Sequence, residues 1–452
     1  MSVSAGYNGE TGRSRIAGFS GETDYLGIKH ATLSIFPGPE TGWTTSGFDV
    51  NKITDRVVSG DFDGDGLPND IAALYDEGGM SMTIRTWKIV NGGVTTYNPS
   101  AWSSSALGGY DPTNISGRVV SGDFDSDGHF DDIAAFYDYG NGAAKIHVWL
   151  GSPTGFTYAW WWNVSSGYYC NLFTGRVVSG DFDRDGYQDD IAVLYDYTGG
   201  AMRIHVFKGM GTSFNYTGAS GWWSVGSGYS PSNISFRVAS GNFDHSGTLS
   251  NHNSDDIVAI YDYGSGVAKA HVWTSTGSSF NYSWKWEVTG FIASNITDRF
   301  VSMNTYSGDD VDRAYGMGAL YNYGSTTTVS YYWNANTSSP WNFGSFTKDL
   351  CPLRISASTP SVNQTQLSLS TLTVNAFPNP SDGQVTIEIE PAEGESVLTI
   401  TDITGRQVYA ETINTSAGYR NEIDISEFGK GVYLMQVVTP GLPVETRKLL
   451  VQ

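Results

Sequence analysis

Apolar residues in this chain are gathered into short runs such as "RVVSGDF", "DIAALYD" and "IHVWL", each bounded by turns rich in glycine and aspartate. Long periodic apolar stretches are few, and tyrosine and tryptophan take the places where helices would carry leucine. Such a pattern predicts short strands joined by tight turns, an all-β chain. The runs also recur. Aligned on "RVVSGDF", units start at Arg56, Arg118, Arg176, Arg237 ("RVASGNF") and Arg299 ("RFVSMNT"). The step is about 60 residues, in the range of propellers and arrays. Each unit continues with a "DIAALYD"-like run, an "IHVW"-like run and an aromatic-rich piece such as "FTYAWWWNVSSGY". That makes about four strands per unit, the blade of a β-propeller.

A weaker copy opens the chain, because residues 2–19 slide onto residues 57–74 without a gap. The expected propeller therefore spans residues 1–356, with units at about 2–55, 56–117, 118–175, 176–236, 237–298 and 299–352. Solenoid repeats are usually shorter, and a string of separate sandwiches would need about 100 residues each. "LCPLRIS" (350–356) echoes "YCNLFTGRVVS" (169–179), as though a seventh unit began and stopped. Such a strand could pair with the first unit and close a ring, so six or seven blades are both expected readings. Residues 357–371 are Ser/Thr-rich and read as a linker. Residues 372–452 alternate apolar and polar positions, as a small β-sandwich does.

The acid excess, 46 Asp plus Glu against 25 Lys plus Arg for a net charge of −21, repels nucleic acid and anionic membranes and favours cations. No apolar run is long enough to span a bilayer as a helix. The opening "MSVSAGYNGETG" lacks the basic start and apolar stretch of a secretory signal. The chain is then expected either to stay in the cytoplasm or to have lost an export signal. Only Cys170 and Cys351 are present, and their places in units three and six put them on opposite sides of a ring, so two free thiols are expected.

The acid is concentrated. In units two, three and four, carboxylates fall at alternate positions of one turn: Asp61, Asp63, Asp65; Asp123, Asp125, Asp127; Asp181, Asp183, Asp185. A glycine follows the third acid in each. Calcium takes about six to eight oxygens, and alternate residues of a curled loop aim inward. The carbonyls of Leu67, His129 and Tyr187 would serve next, with Asn69 or Asp70, Asp131 or Asp132, and Asp189 or Asp190 closing the shell. A single acidic turn is ordinarily a solvated loop with local hydrogen bonds. Three copies in one register are harder to explain without a cation, because crowded carboxylates repel. Three structural calcium sites are therefore expected, with magnesium disfavoured by the irregular cage. Unit five is a weak candidate, offering Asn242, Asp244 and Ser246 before a longer loop, and units one and six have lost the acids.

A strand, an Asp-x-Asp-x-Asp-Gly loop, then "DIA" and an apolar strand, repeated in this way, resembles the FG-GAP or VCBS repeat family. That resemblance implies an integrin-α-like β-propeller with calcium in these loops. There is also a distant resemblance to fungal propeller lectins, with aromatic-bearing blades. In the tail, "FPNPSDG" (377–383), "DITGRQV" (402–408), "GVYLMQV" (431–437) and "RKLLV" (447–451) resemble the Por, or type IX, secretion sorting domain of Bacteroidota. It implies passage of the inner membrane by a separate signal, export through the type IX machinery, cleavage of the tail, and release or attachment at the cell surface. A trimmed N-terminus would reconcile this with the missing signal.

No catalytic constellation stands apart from the repeat, so an enzyme is not expected. His147, His205 and His271 recur at one place in the "IHVW" strand and read as structural residues facing a neighbouring blade. Trp161, Trp162, Trp222, Trp223, Trp284 and Trp286 sit in matching places before each "GY" turn. They read either as blade packing or as ring faces that stack on sugars. The expected function is a calcium-stabilised binding module for a glycan or a surface protein. The alternative is the targeting module of a larger polysaccharide-degrading enzyme.

Overall fold

The computed structural model describes residues 3–8, 13–24, 26–36, 42–90, 93–244, 254–304, 315–322, 328–334, 342–346, 374–377, 381, 384–389, 395–402, 406–416, 418–426, 428–438, 445–451. The chain divides into two compact units, Met1–Arg354 and Ile355–Gln452.

In the first unit the described residues form six antiparallel sheets in chain order, each strand pairing with the next except in blade four, where Phe214–Tyr216 and Trp223–Val225 both pair with the third strand. Blade two is typical, with strands Val57–Gly60, Asp70–Asp76, Met82–Val90 and Gly93–Ser103. The innermost strands are Val3–Asn8, Val57–Gly60, Val119–Gly122, Val177–Gly180, Val238–Gly241 and Phe300–Asn304. Each adjoins the next, and the sixth adjoins the first. That closed circuit is a β-propeller with six blades among the described residues. The strand expected from 350–356 lies outside the described residues, as does Cys351. Cys170 is buried and free, and burial pushes its thiol up to about 12.

The second strand explains why its run is continuously apolar rather than alternating. Ile71 and Ala73 pack toward blade one, while Ala72 and Leu74 pack toward blade three. Both faces of a blade are covered, so both faces must be apolar. The core is accordingly a series of wedges between neighbouring sheets, anchored by the fully buried Trp87, Trp149 and Trp273.

Each letter of "RVVSG" has a job between blades. Arg118 is buried, and its Nε donates to the Phe136 carbonyl at 3.2 Å while Nη2 reaches the Asn114 carbonyl at 2.7 Å. Its Nη1 crosses to the hydroxyl of Thr174 in the approach to blade four at 2.6 Å. Arg56, Arg176 and Arg237 repeat the strap onto Ser116, Ser235 and Thr297. The serine hydroxyls stitch the inner strands, Ser121 to the Ser59 carbonyl at 2.7 Å, Ser179 to Ser121 and Ser240 to Ser179 at 2.6 Å. The final residue must be glycine at Gly122, where a Cβ would meet the Gln188 carbonyl of the next blade at 2.6 Å.

The second unit is a sandwich of two antiparallel sheets among its described residues. One sheet holds Val374–Phe377, Gln384–Ile389 and Tyr419–Asp424; the other holds Gln407–Asn414, Glu395–Asp402, Gly431–Val438 and Glu445–Val451. Their inward residues, among them Val385, Ile387, Leu398, Ile400, Met435 and Leu449, form one apolar core.

Replacing Arg118 by Met keeps the volume and removes every donor, leaving three acceptors unmatched. Chemical denaturation should show a loss of about 3 kcal/mol. A variant within about 0.5 kcal/mol of wild type would show that the strap contributes nothing.

Candidate functional site

The three acidic turns join the innermost strand of blades two, three and four to the second strand. Each first acid folds its own turn. Asp61 accepts the backbone N–H of Asp65 at 3.0 Å and of Gly66 at 2.8 Å. Asp123 accepts Asp127 and Gly128, and Asp181 accepts Arg184, Asp185 and Gly186. The glycine after the third acid takes the left-handed region, with φ of 87° at Gly66, 93° at Gly128 and 99° at Gly186. The first acid is thereby buried, the second half-buried and the third exposed.

Oxygens of Asp61, Asp63 and Asp65 lie within 4.8 Å of one another, as do those of Asp123, Asp125 and Asp127. In blade four the close trio is Asp181, Asp183 and Asp190, while Asp185 accepts the Tyr187 N–H at 3.0 Å. At such separations each carboxylate pair repels by about 3 kcal/mol at an effective dielectric constant of about 20. Leu67, His129 and Tyr187 follow the turn, each donating its N–H to the third acid. The Leu67 carbonyl accepts the Asn69 N–H at 2.7 Å. The His129 ring reaches the neighbouring turn, its Nδ1 4.0 Å from Asp61.

The two acids offered as alternatives to close the shell have different surroundings. The aspartate of "DIA" is a brace. Asp190 accepts the N–H groups of Phe182 and Asp183 with one oxygen and that of Gly209, at the end of the third strand, with the other, all at 3.0 Å. Asp132 accepts Asp125 and Gly151, and Asp256 accepts Phe243, Asp244 and Ser275. Asp70 accepts only the Ile89 N–H, and its buried Oδ2 has no hydrogen-bond partner. The preceding residue faces the neighbouring blade: Asp189 accepts the Ser126 hydroxyl of blade three at 3.2 Å, and its Oδ1 has no partner. Asn69 Oδ1 is also unpartnered, and Asp131 is buried.

Burial first, and the neighbouring carboxylates second, push Asp70 and Asp132 up to about 8, Asp189 to about 7, and Asp131 and Asp181 to about 6. Buried oxygens without donors, in a set made of oxygen alone, suit a hard cation. These turns could hold one through the close trios. Blade four already has a partial substitute, Lys208 Nζ at 2.6 Å from Asp183. In blade five Asn242 is buried and Asp244 half-buried, Ser246 lies outside the described residues, and no third carboxylate joins Asp244 and Asp256 among the described residues.

Five of the six tryptophans weighed as sugar contacts turn inward. Trp286 is 5% exposed against Phe291, and Trp162 packs on Phe207 and Tyr168. Trp223 packs on Trp273, while Trp161 and Trp222 meet Phe214 and Phe280 of the following blade. The alternation argument fails here because both faces of a propeller sheet are covered. Trp284 is the exception at 52% exposed, and Trp160, its counterpart in blade three, is 51% exposed. Both lie opposite the recurrent histidine, Trp160 across from His147 and Trp284 across from His271, next to a register shift. That bulge could not be read from residue order.

The histidines tie blades together through tyrosines. His205 Nδ1 lies 3.1 Å from the Tyr168 hydroxyl of blade three, and Nε2 3.0 Å from Tyr197. His147 is bracketed by Tyr110 and Tyr139, and His271 by Tyr229 and Tyr263. The three histidines are buried, and burial pushes His147 down to about 3 and His205 and His271 to about 4. The rings are neutral at ordinary pH and have no carboxylate partner to make them bases.

The tail is decided by family comparison, since its sandwich alone assigns no role. Residues 375–452 match the family described as the secretion system C-terminal sorting domain. The tail is a secretion sorting domain. It carries the core Val385, Ile387, Met435 and Leu449 inside the matched span. No curated protein matches the chain. Among solved structures, AofleA from Arthrobotrys oligospora is 10% identical at a TM-score of 0.45, over 76% of this chain and 86% of its own. The SapL1 lectin, solved in complex with alpha methyl fucoside, is 12% identical at 0.42, over 78% and 97%. The propeller assignment rests on the closed circuit of sheets. Like the sorting domain, it stands without these likenesses.

A folded-state histidine pKa below the unfolded value of about 6.5 means that the unfolded chain binds more protons on acidification. The stability these rings leave intact is whole above about pH 6.5 and is lost as pH falls toward about 4. Thermal melting of a His147→Gln, His205→Gln, His271→Gln variant should fall less steeply than wild type across that window. An equal acid slope in both proteins would contradict the buried neutral rings.

Proposed function

We propose that this chain is an exported, calcium-stabilised β-propeller that binds glycans through tryptophans on its blade edges. The observation that carries the binding is the pair Trp160 and Trp284, each about half exposed at the same register position of two blades otherwise sealed against their neighbours. A flat ring face held on a rigid strand suits the CH face of a pyranose, and little ordering entropy is lost on stacking. A surface-protein ligand would need a broader apolar patch than two separated rings supply.

Calcium in the turns of blades two to four is supported by the oxygen-only donor sets and by the buried oxygens of Asp70 and Asp189 that lack donors. It matches the FG-GAP or VCBS resemblance of the loops. Its role is structural: it would neutralise the trio so that the second strand can start. Export follows from the sorting domain, read by the type IX machinery, with release or attachment at the outer surface.

A glycan array run with calcium and again with chelator tests the binding. Wild type should bind at least one saccharide, and Trp160→Ala with Trp284→Ala should weaken it about tenfold or more. Binding to no saccharide in either condition would end the glycan reading. For the metal, calcium should raise the melting temperature and chelator lower it, since a ligand bound only to the folded form stabilises it. The Asp125→Asn variant should lose more of this response than Asp183→Asn, because Lys208 already offsets blade four, while among the described residues no lysine forms an ion pair with the acids of the blade-three turn. Melting indifferent to chelator would refute the calcium.

A further inference from the structure

Lys145 lies between two exposed rings on the edge of blade three, its Nζ 4.7 Å from the centre of the Trp160 ring and 5.3 Å from that of Tyr139. The rings are 51% and 52% exposed. The arrangement is held from beneath: the Tyr139 hydroxyl bonds to buried His147 at 3.2 Å, and His147 bonds to buried Tyr110 at 3.1 Å. Blade five repeats it. Lys269 Nζ lies 5.0 Å from Trp284 and 5.2 Å from Tyr263, and the Tyr263 hydroxyl bonds to His271 at 3.1 Å.

One position separates the two platforms. Lys269 pairs across the strands with Glu287, and their charged groups form an ion pair at 2.9 Å. Lys145 pairs with Asn163, so no carboxylate of the described residues forms an ion pair with it. Blade four has no equivalent platform. There Arg203 lies over Tyr197 at 4.5 Å and donates to the Ala219 carbonyl at 2.6 Å, and the outer strand is interrupted between Tyr216 and Trp223. In a chain of net charge −21, blade three thus keeps one uncompensated ammonium on a stacking surface.

We infer that the edge of blade three is a subsite for a carboxylated pyranose, a uronate of an acidic polysaccharide, and that the matching edge of blade five takes a neutral sugar. The inference rests on the glycan reading and adds the charge of the ligand. The pyranose lies on the indole of Trp160, and its carboxylate meets Lys145. On blade five Glu287 neutralises the lysine and turns a carboxylate away.

Calorimetry on the full chain tests this with sodium salts of oligogalacturonate, oligoglucuronate and oligomannuronate, each beside its carboxyl-reduced, neutral counterpart of equal length. At least one acidic oligomer should bind about tenfold tighter than its reduced form, as for one charge-assisted contact. The preference should shrink with added salt and vanish in Lys145→Gln. It should also vanish in Asn163→Glu, an exposed substitution that leaves the lysine in place. Glu287→Gln should add a second acid-binding site. Equal affinity for acidic and reduced oligomers, or an unchanged preference in Lys145→Gln, overturns the uronate assignment. In that case stacking still stands if the reduced oligomers bind and Trp160→Ala abolishes their binding. A chain that binds neither form overturns both readings, and preference for sulfated over carboxylated oligomers overturns the carboxylate.

Discussion

A ring of small sheets depends on what joins one sheet to the next at the centre, where the strands are shortest. Strands such as Val57–Gly60, Val119–Gly122 and Val177–Gly180 are four residues long, too short for their own ladder bonds to fix the angle between blades. The buried arginine at the head of blades two to five supplies that joint. It spends its donors on two carbonyls of its own blade and one hydroxyl of the next, so the cation is satisfied only when the neighbouring blade is in place. A second circuit lies beside it, from Gly117 to Asp55, Gly175 to Gly117, Phe236 to Gly175 and Asp298 to Phe236, made of backbone hydrogen bonds. Its members all have positive φ, and Phe236, Asp55 and Asp298 accept that strain where Gly117 and Gly175 avoid it.

The acidic turns follow from this geometry. Each must leave the short inner strand and re-enter the sheet at the aspartate of "DIA", which bonds the end of the third strand with one oxygen and, in blades three to five, the turn with the other. The turn is also fastened outward, since the Asp61 N–H bonds the Phe130 carbonyl and the Asp123 N–H bonds the Gln188 carbonyl. Folding therefore draws several carboxylates together whether or not they repel. Burial and mutual repulsion then oppose their ionisation, and a cation is the simplest relief. Blade four relieves part of the strain with Lys208, and blade five by writing Asn242 for the first acid.

The outer edges divide into side chains that hold the blades together and a few rings left exposed. Tyr110, Tyr168 and Tyr229 each reach forward to the histidine of the following blade, so the aromatic layer belongs to the joint between sheets. Among the described residues, only where a bulge shifts the outer strand does a tryptophan leave that layer. The same buried hydrogen bonds that lock the joint also fix the tyrosine beside Trp160 and Trp284. Rigidity at these edges is thus a product of the interblade packing, and a ligand stacking there would need no further ordering.

Much of the fold was legible because repetition reports on geometry. The all-β class follows from the spacing of "RVVSG" and "DIA", and the closeness of the acids from their alternation in a turn that must curl. The sorting tail was legible from its phrases. What residue order alone could not carry was which face of each strand is covered. Trp161 and Trp162 occupy consecutive positions, yet both pack inward, because a propeller covers both faces of its sheets. Asp189 and Asp190 are identical neighbours, yet one faces the adjacent blade and the other braces its own turn. Glu287 and Asn163 decide the charge of two platforms through a partner across the strand. The sequence by itself determined the repeat, its strands and its turns, since these rest on local spacing and chirality. Only the tertiary structure decided which side chains meet, because those meetings join residues about 60 positions apart through the packing of one sheet against the next.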